Sequence, residues 1–145
     1  MNIPSANDDA WNTAEGKRNG EVSLIRYRPN LEHFLGNPDY SQRLVIIWDF
    51  SQNNSNGMPS NEQSDDMRNF EDVIVNALDP DRSGILVLVL TNAGMREWHY
   101  YIKDISEVGN RINNALSEFP KLPINLQVEE DQNWGELKTV YELCN

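Results

Sequence analysis

Residues 84–103 read GILVLVLTNAGMREWHYYIK, and their reading decides the fold. The opening GILVLVLT is an unbroken apolar run rich in β-branched residues, the composition of a strand covered on both faces. Asn92-Ala93-Gly94 then supplies a tight turn, and residues 95–103 return as the second strand of a hairpin. On that returning strand Arg96, Trp98, Tyr100 and Ile102 share one face, while Glu97, His99, Tyr101 and Lys103 share the other. Both faces are half aromatic, so alternation leaves open which one is buried.

Helical patterns flank this hairpin on either side. Over residues 60–78, Ser60 and Gln63 match a capping box behind Pro59, and Glu62, Asp65 and Asp66 crowd the positive end of the helix dipole. Met67, Phe70, Ile74, Ala77 and Leu78 then fall on one face, with Asp65, Arg68, Asn69, Asp72 and Asn76 opposite, until Asp79-Pro80-Asp81 ends the run. After the hairpin, Asp104 and Glu107 read as a second capping box. Ile105, Val108, Ile112, Ala115, Leu116 and Phe119 repeat at helical spacing up to Pro120. Gly109 weakens that helix by about 1 kcal/mol relative to alanine, which its packing face absorbs.

Outside the helices lie two more strands. Residues 42–50 (QRLVIIWDF) form a second apolar run that suits a central or doubly covered strand. At 124–129, Ile124, Leu126 and Val128 alternate with Asn125, Gln127 and Glu129, the pattern of a half-buried strand. Strand, helix, strand, strand, helix, strand gives an α+β, ferredoxin-like β-α-β-β-α-β sandwich over residues 42–130, with two helices on one face of an antiparallel sheet.

An N-terminal β-hairpin at 8–28 precedes it, with Trp11 in one arm, a turn over residues 16–20, and Pro29 closing the second arm. Residues 31–35 suggest one helical turn, broken at Gly36-Asn37-Pro38, and the Asn- and Ser-rich stretch 51–59 reads as the most mobile loop. A short C-terminal helix at 133–144 uses Trp134, Leu137, Val140 and Tyr141. The whole, 1–145, is expected to be a single domain. One tension remains. This topology puts residues 85–90 at a sheet edge, where so apolar a strand needs cover from the N-terminal hairpin or from a second subunit in a homodimer.

Composition narrows the function. A chain of 145 residues with 39% hydrophobic and 9% aromatic content can bury a proper core, which rejects disorder. The one cysteine, Cys144, permits no internal disulfide and fits a reducing compartment. The N-terminus lacks a basic and apolar leader, and no apolar run is long enough to span a bilayer, so a cytoplasmic location without membrane contact is expected. Net charge is −11, from 23 acids against 12 bases, which disfavours direct nucleic-acid binding. Acidity in a small domain usually means only solubility; the sharper reading is a basic protein partner drawn in by complementary potential.

Catalytic chemistry finds little purchase. The two histidines, His33 and His99, stand far apart in sequence, and no zinc, calcium-loop or phosphate-loop spacing occurs, so no metal or cofactor is expected. No nucleophile elbow is present, and a catalytic His99 would need a partnered proton path that the sequence does not show. Paired acids are abundant, as at Asp65-Asp66, Glu71-Asp72 and Glu129-Glu130-Asp131, but solvated faces and caps explain them better than a buried catalytic pair. The Trp98-to-Tyr101 cluster resembles an RNA-stacking strand only superficially, because the RNP pattern is missing. An aromatic core or a protein-binding platform is the better reading.

Several segments carry a resemblance. They are Gly57-Met58-Pro59 with Phe70-Glu71-Asp72, then residues 90–101 (LTNAGMREWHYY), then Glu130-Asp131-Gln132-Asn133-Trp134. With their G-x-R-x-W-x-x-Y and D-x-x-W patterns, they resemble a bacterial family catalogued only as domain of unknown function 695. The aromatic strand is more weakly similar to the regulator of ribonuclease E activity B, an acidic ferredoxin-like inhibitor.

The resemblance transfers no catalytic residues and implies a fold with a tendency to bind. The expectation is a non-enzymatic immunity protein or inhibitor that neutralises a basic bacterial toxin or enzyme by docking. Asp65, Asp66, Asp72, Glu129, Glu130, Asp131, Trp98 and Tyr101 are the candidate contacts. The alternatives are a housekeeping regulator of an endogenous enzyme and, behind it, a small enzyme using a carboxylate pair or His99.

Overall fold

The computed structural model describes residues 5–6, 10–18, 21–50 and 58–144. Most of the polar loop expected at 51–59 lies outside the described residues. Two strands, β1 (Asn12–Arg18) and β2 (Glu21–Tyr27), form the N-terminal hairpin, and a 3-10 turn occupies Glu32–Phe34. Then follow β3 (Gln42–Asp49), α1 (Asn61–Leu78), β4 (Gly84–Asn92), β5 (Met95–Ile102), α2 (Ile105–Ala115), β6 (Ile124–Glu130) and α3 (Gly135–Cys144). The class is α+β, with an antiparallel six-stranded sheet in the order β1-β2-β4-β5-β3-β6. Its last four strands carry the split βαβ order that the alternation of strands and helices implied.

The hairpin resolves the edge problem. Ile25, Arg26 and Tyr27 of β2 pair with Leu90, Val89 and Leu88 of β4, so the apolar strand sits inside the sheet. Of the two covers expected for this strand, the N-terminal hairpin or a second subunit, the chain's own β2 supplies it. Residues 16–18, expected in the turn, belong to β1 and pair with 21–23.

Burial on both faces of β4 has two further causes. Helices α1 and α2 pack Met67, Phe70, Ile74, Leu78, Val108 and Ile112 onto one face, against Leu44, Ile46, Leu86, Trp98 and Tyr100. On the reverse face, α3 packs Leu137, Val140 and Tyr141 against Tyr27, Ile85, Val87 and Tyr101. A bulge between Leu86 and Leu88 breaks the alternation, sending both Val87 and Leu88 to the α3 side. The question left open by β5 is thereby answered: both of its faces are core.

Local chemistry sets the helix ends. Ser60 and Gln63 form the reciprocal capping box at α1. At α2 the box is one-sided. Asp104 accepts from the amides of Ser106 and Glu107, but the Glu107 carboxylate accepts instead from Arg111 Nε at 2.9 Å. The helix stops at Ala115 rather than Phe119, where Ser117 Oγ donates to Asn114 O and competes with continuation. With α2 this short and β6 outermost, β6 lacks the cover expected of a half-buried strand: Leu126 and Val128 are exposed, at 41% and 39%.

Candidate functional site

The structure separates the residues that charge and aromaticity had grouped. Asp65, Asp66 and Asp72 stand exposed on α1, where Arg68 approaches Asp65 only loosely, at 3.9 Å. Glu129 and Glu130 sit on β6, at the far edge of the sheet, whereas α1 packs against α2 and β4. They do not form one acidic face with α1.

Three candidate contacts are not surface groups. Trp98 and Tyr101 are 1% and 0% exposed, each built into one of the two cores. Asp131 is turned inward. Its carboxylate accepts from Arg43 at 2.6 Å, from the Tyr101 hydroxyl at 2.8 Å, and from the Gly135 and Glu136 amides that open α3. Burial alone would raise its pKa; the bonds from Gly135, Tyr101, Glu136 and Arg43 outweigh that and hold it below the ordinary value.

His99 is also buried, with Nε2 3.0 Å from Glu97 Oε1, so the catalytic alternative has a base enclosed in the sheet. Among the described residues no group of three or more His, Cys, Asp or Glu is arranged to hold a metal ion. No described helix is long and apolar enough to cross a membrane.

Two surface features of the described residues bear on binding. The first is the outer edge of β6. This strand pairs with β3 alone among the described residues, and its residues from Asn125 to Glu130 are all exposed. It carries no proline, lysine or bulge, the usual devices that blunt an edge, and its guard is the acidic Glu129-Glu130 end.

The second lies where the hairpin carries the sheet beyond α1. There Glu71 of α1 accepts from Arg26 of β2 and, at 2.9 Å, from Trp98 Nε1 of β5. Arg26 is stacked over Trp11 at 4.9 Å, and Arg96 Nε donates to Thr91 Oγ1 at 2.8 Å. Burial, and then the charge of Arg26, hold Arg96 below the ordinary arginine range, with Glu71 opposing. Sequence reasoning missed this cluster. Arg96 had been assigned only to a strand face, and nothing in the sequence says that Arg26 of the hairpin arrives beside it.

Beneath the cluster the Tyr100 hydroxyl is fully buried with no hydrogen-bond partner among the described residues, and burial, reinforced by Glu71, pushes its pKa well up. An unsatisfied buried hydroxyl costs about 1–3 kcal/mol. Tyr100→Phe is therefore expected to leave stability unchanged or raise it by about 1 kcal/mol. A denaturant midpoint lowered by this change would show that the hydroxyl has a partner after all.

Fold and surface define a split βαβ sandwich whose sheet is lengthened by an N-terminal hairpin, with β1 and β6 as its edge strands and an arginine-lined recess beside α1. The chain belongs to the family of unknown function DUF695, whose profile matches residues 9–138. No curated protein matches the chain. The likeness to the regulator of ribonuclease E activity B remains an expectation.

Proposed function

We propose that this protein acts by docking a basic protein partner, as an immunity protein or inhibitor of a bacterial toxin or enzyme, with the outer edge of β6 as its docking strand. The observation that carries the reading is the unblunted seven-residue edge, Ile124–Glu130, with Leu126 and Val128 exposed beside an acidic end. An extended segment of a partner gains main-chain hydrogen bonds by adding to such an edge, and side-chain contacts on alternate positions give it register. Basic residues in that segment meet Glu130 and the exposed Glu129, the latter also paired with Arg43 at 2.9 Å. The net charge of −11 and the exposed acids of α1 contribute long-range attraction that speeds encounter.

A photoreactive residue placed at Gln127 of the full chain, in cells that produce it, tests the reading. A basic protein should cross-link from position 127 and not from position 65. The purified pair should lose about tenfold or more in affinity as salt rises from about 50 to about 200 mM. Absence of a cross-link at 127, or an affinity indifferent to salt, overturns the reading.

A further inference from the structure

The recess beside α1 has the chemistry of an anion site. Across the helix-facing side of the sheet, Leu24, Thr91 and Arg96 occupy one lateral row, and Arg26, Val89 and Trp98 the next. These rows line an open recess of about 150 Å3, bordered in part by Thr13, Leu24, Arg26, Val89, Thr91 and Arg96. A neighbouring cavity of about 360 Å3 reaches Arg26 from the α1 side, between Trp11 and Glu71.

Within the recess, among the described residues, Arg26 and Arg96 face the single carboxylate Glu71, with Asp72 lining the neighbouring cavity. Glu71 is the carboxylate that both arginines feel, and it is hydrogen-bonded to Arg26 and Trp98. Arg26 Nε is buried and has no hydrogen-bond partner among the described residues. Arg96 makes one hydrogen bond among the described residues, through Nε to Thr91, and its terminal nitrogens make none. Among the described residues two guanidiniums thus share the Glu71 carboxylate, in a chain whose net charge is −11. Like charges are held together at a cost unless an anion completes the arrangement, and the guanidinium fork fits a carboxylate or phosphate with two parallel hydrogen bonds. The apolar floor of Leu24 and Val89 lowers the local dielectric and strengthens such a contact.

We propose that this recess is a binding site for the oxyanion of a small molecule, a carboxylate or a phosphate, received on the terminal nitrogens of Arg96 with Arg26 as the second cation. Trp11 and Glu71 position Arg26, and Thr91 fixes the plane of Arg96. The site is independent of the β6 edge, which lies at the other end of the sheet.

Titration of the full chain with inorganic phosphate and, separately, with succinate at constant ionic strength tests this, followed by the NMR shift of the Trp98 indole N–H. One of the two anions is expected to bind saturably and to shift that resonance, and which one does so identifies the ligand chemistry. Arg96→Gln should weaken binding about tenfold or more, and Arg96→Lys, which keeps the charge without the fork, should weaken it less. Saturable binding by neither anion overturns the proposal, as does Arg96→Gln binding as well as the parent. If Arg96→Gln does not fold, equal binding by Arg96→Lys and the parent has the same force.

Discussion

Replacing Asp131 with alanine is expected to destabilise the protein by about 3–5 kcal/mol, the cost of breaking a buried, hydrogen-bonded charge pair from one side. The side chain is only 11% exposed, and Arg43 opposite it 14%. Its loss leaves Arg43 with only the exposed Glu129, at 2.9 Å, removes the Asp131 acceptor of the buried Tyr101 hydroxyl and removes the acceptor for the first two amides of α3. Asp131→Asn should cost less, because it keeps the shape and one acceptor.

Acid should act through the same group. The folded-state pKa of Asp131 is depressed, so its contribution is complete above the ordinary carboxylate value of about 4 and is lost as pH falls below it. Asp81, held at about 2 by its hydrogen bonds from Arg111, titrates in the same direction. It is about half exposed, and solvent screening leaves it a small share. Urea midpoints of parent and Asp131→Asn, compared at pH 7 and pH 3, check this. The parent should lose more of its midpoint than the variant, and parallel losses would contradict the account.

The second large effect is Trp134→Ala, expected to cost about 3–5 kcal/mol as a large-to-small change in a closed core. Trp134 is fully buried, lies flat on Tyr101 with ring centroids 4.2 Å apart and an interplanar angle of 5°, and donates its indole N–H to Tyr40 O at 3.0 Å. The substitution opens a cavity between α3 and the sheet and orphans the Tyr40 carbonyl. Trp134→Phe keeps much of the volume and should cost clearly less. Equilibrium unfolding followed by circular dichroism separates the two, since three other tryptophans would confuse fluorescence.

Both predictions fall on one structural unit. The G-x-R-x-W-x-x-Y and D-x-x-W patterns look like separate signatures in the sequence, but Tyr101 of the first stacks on Trp134 of the second and donates to its Asp131. Tyr101, Asp131 and Trp134 of these patterns are therefore spent on closing the reverse face of the sheet. Arg96 and Trp98 lie on the opposite, helix-facing side.

What could be read in advance follows from which forces are local. The helices announced themselves because capping and apolar periodicity are properties of neighbouring residues; the box at Ser60 and Gln63 forms as its side chains imply. The apolar composition of residues 84–91 correctly demanded cover on both faces. Whether β2 or another chain gave it depended on register between Ile25 and Leu90, which no local pattern encodes.

The misreadings share that cause. Leu126 and Val128 alternate as though half-buried, yet exposure there depends on where α2 ends and on β6 being outermost. Asp131 resembles Glu129 and Glu130 in sequence, and differs from them only because α3 starts just beyond it and brings two amides to its carboxylate. Trp98 and Tyr101 suggested an aromatic platform because the sequence does not reveal that both faces of β5 are covered. The arginine recess was illegible for the same reason, being assembled from β2, β4, β5 and α1.

Amide hydrogen exchange on the chain with and without its cross-linked partner tests the docking account most directly. Free, the outward amides of β6 should exchange fast, and in the complex protection should appear over residues 125–130 while α1 changes little. Protection confined to α1, or no change along β6, would contradict the claim that this edge is where the protein binds.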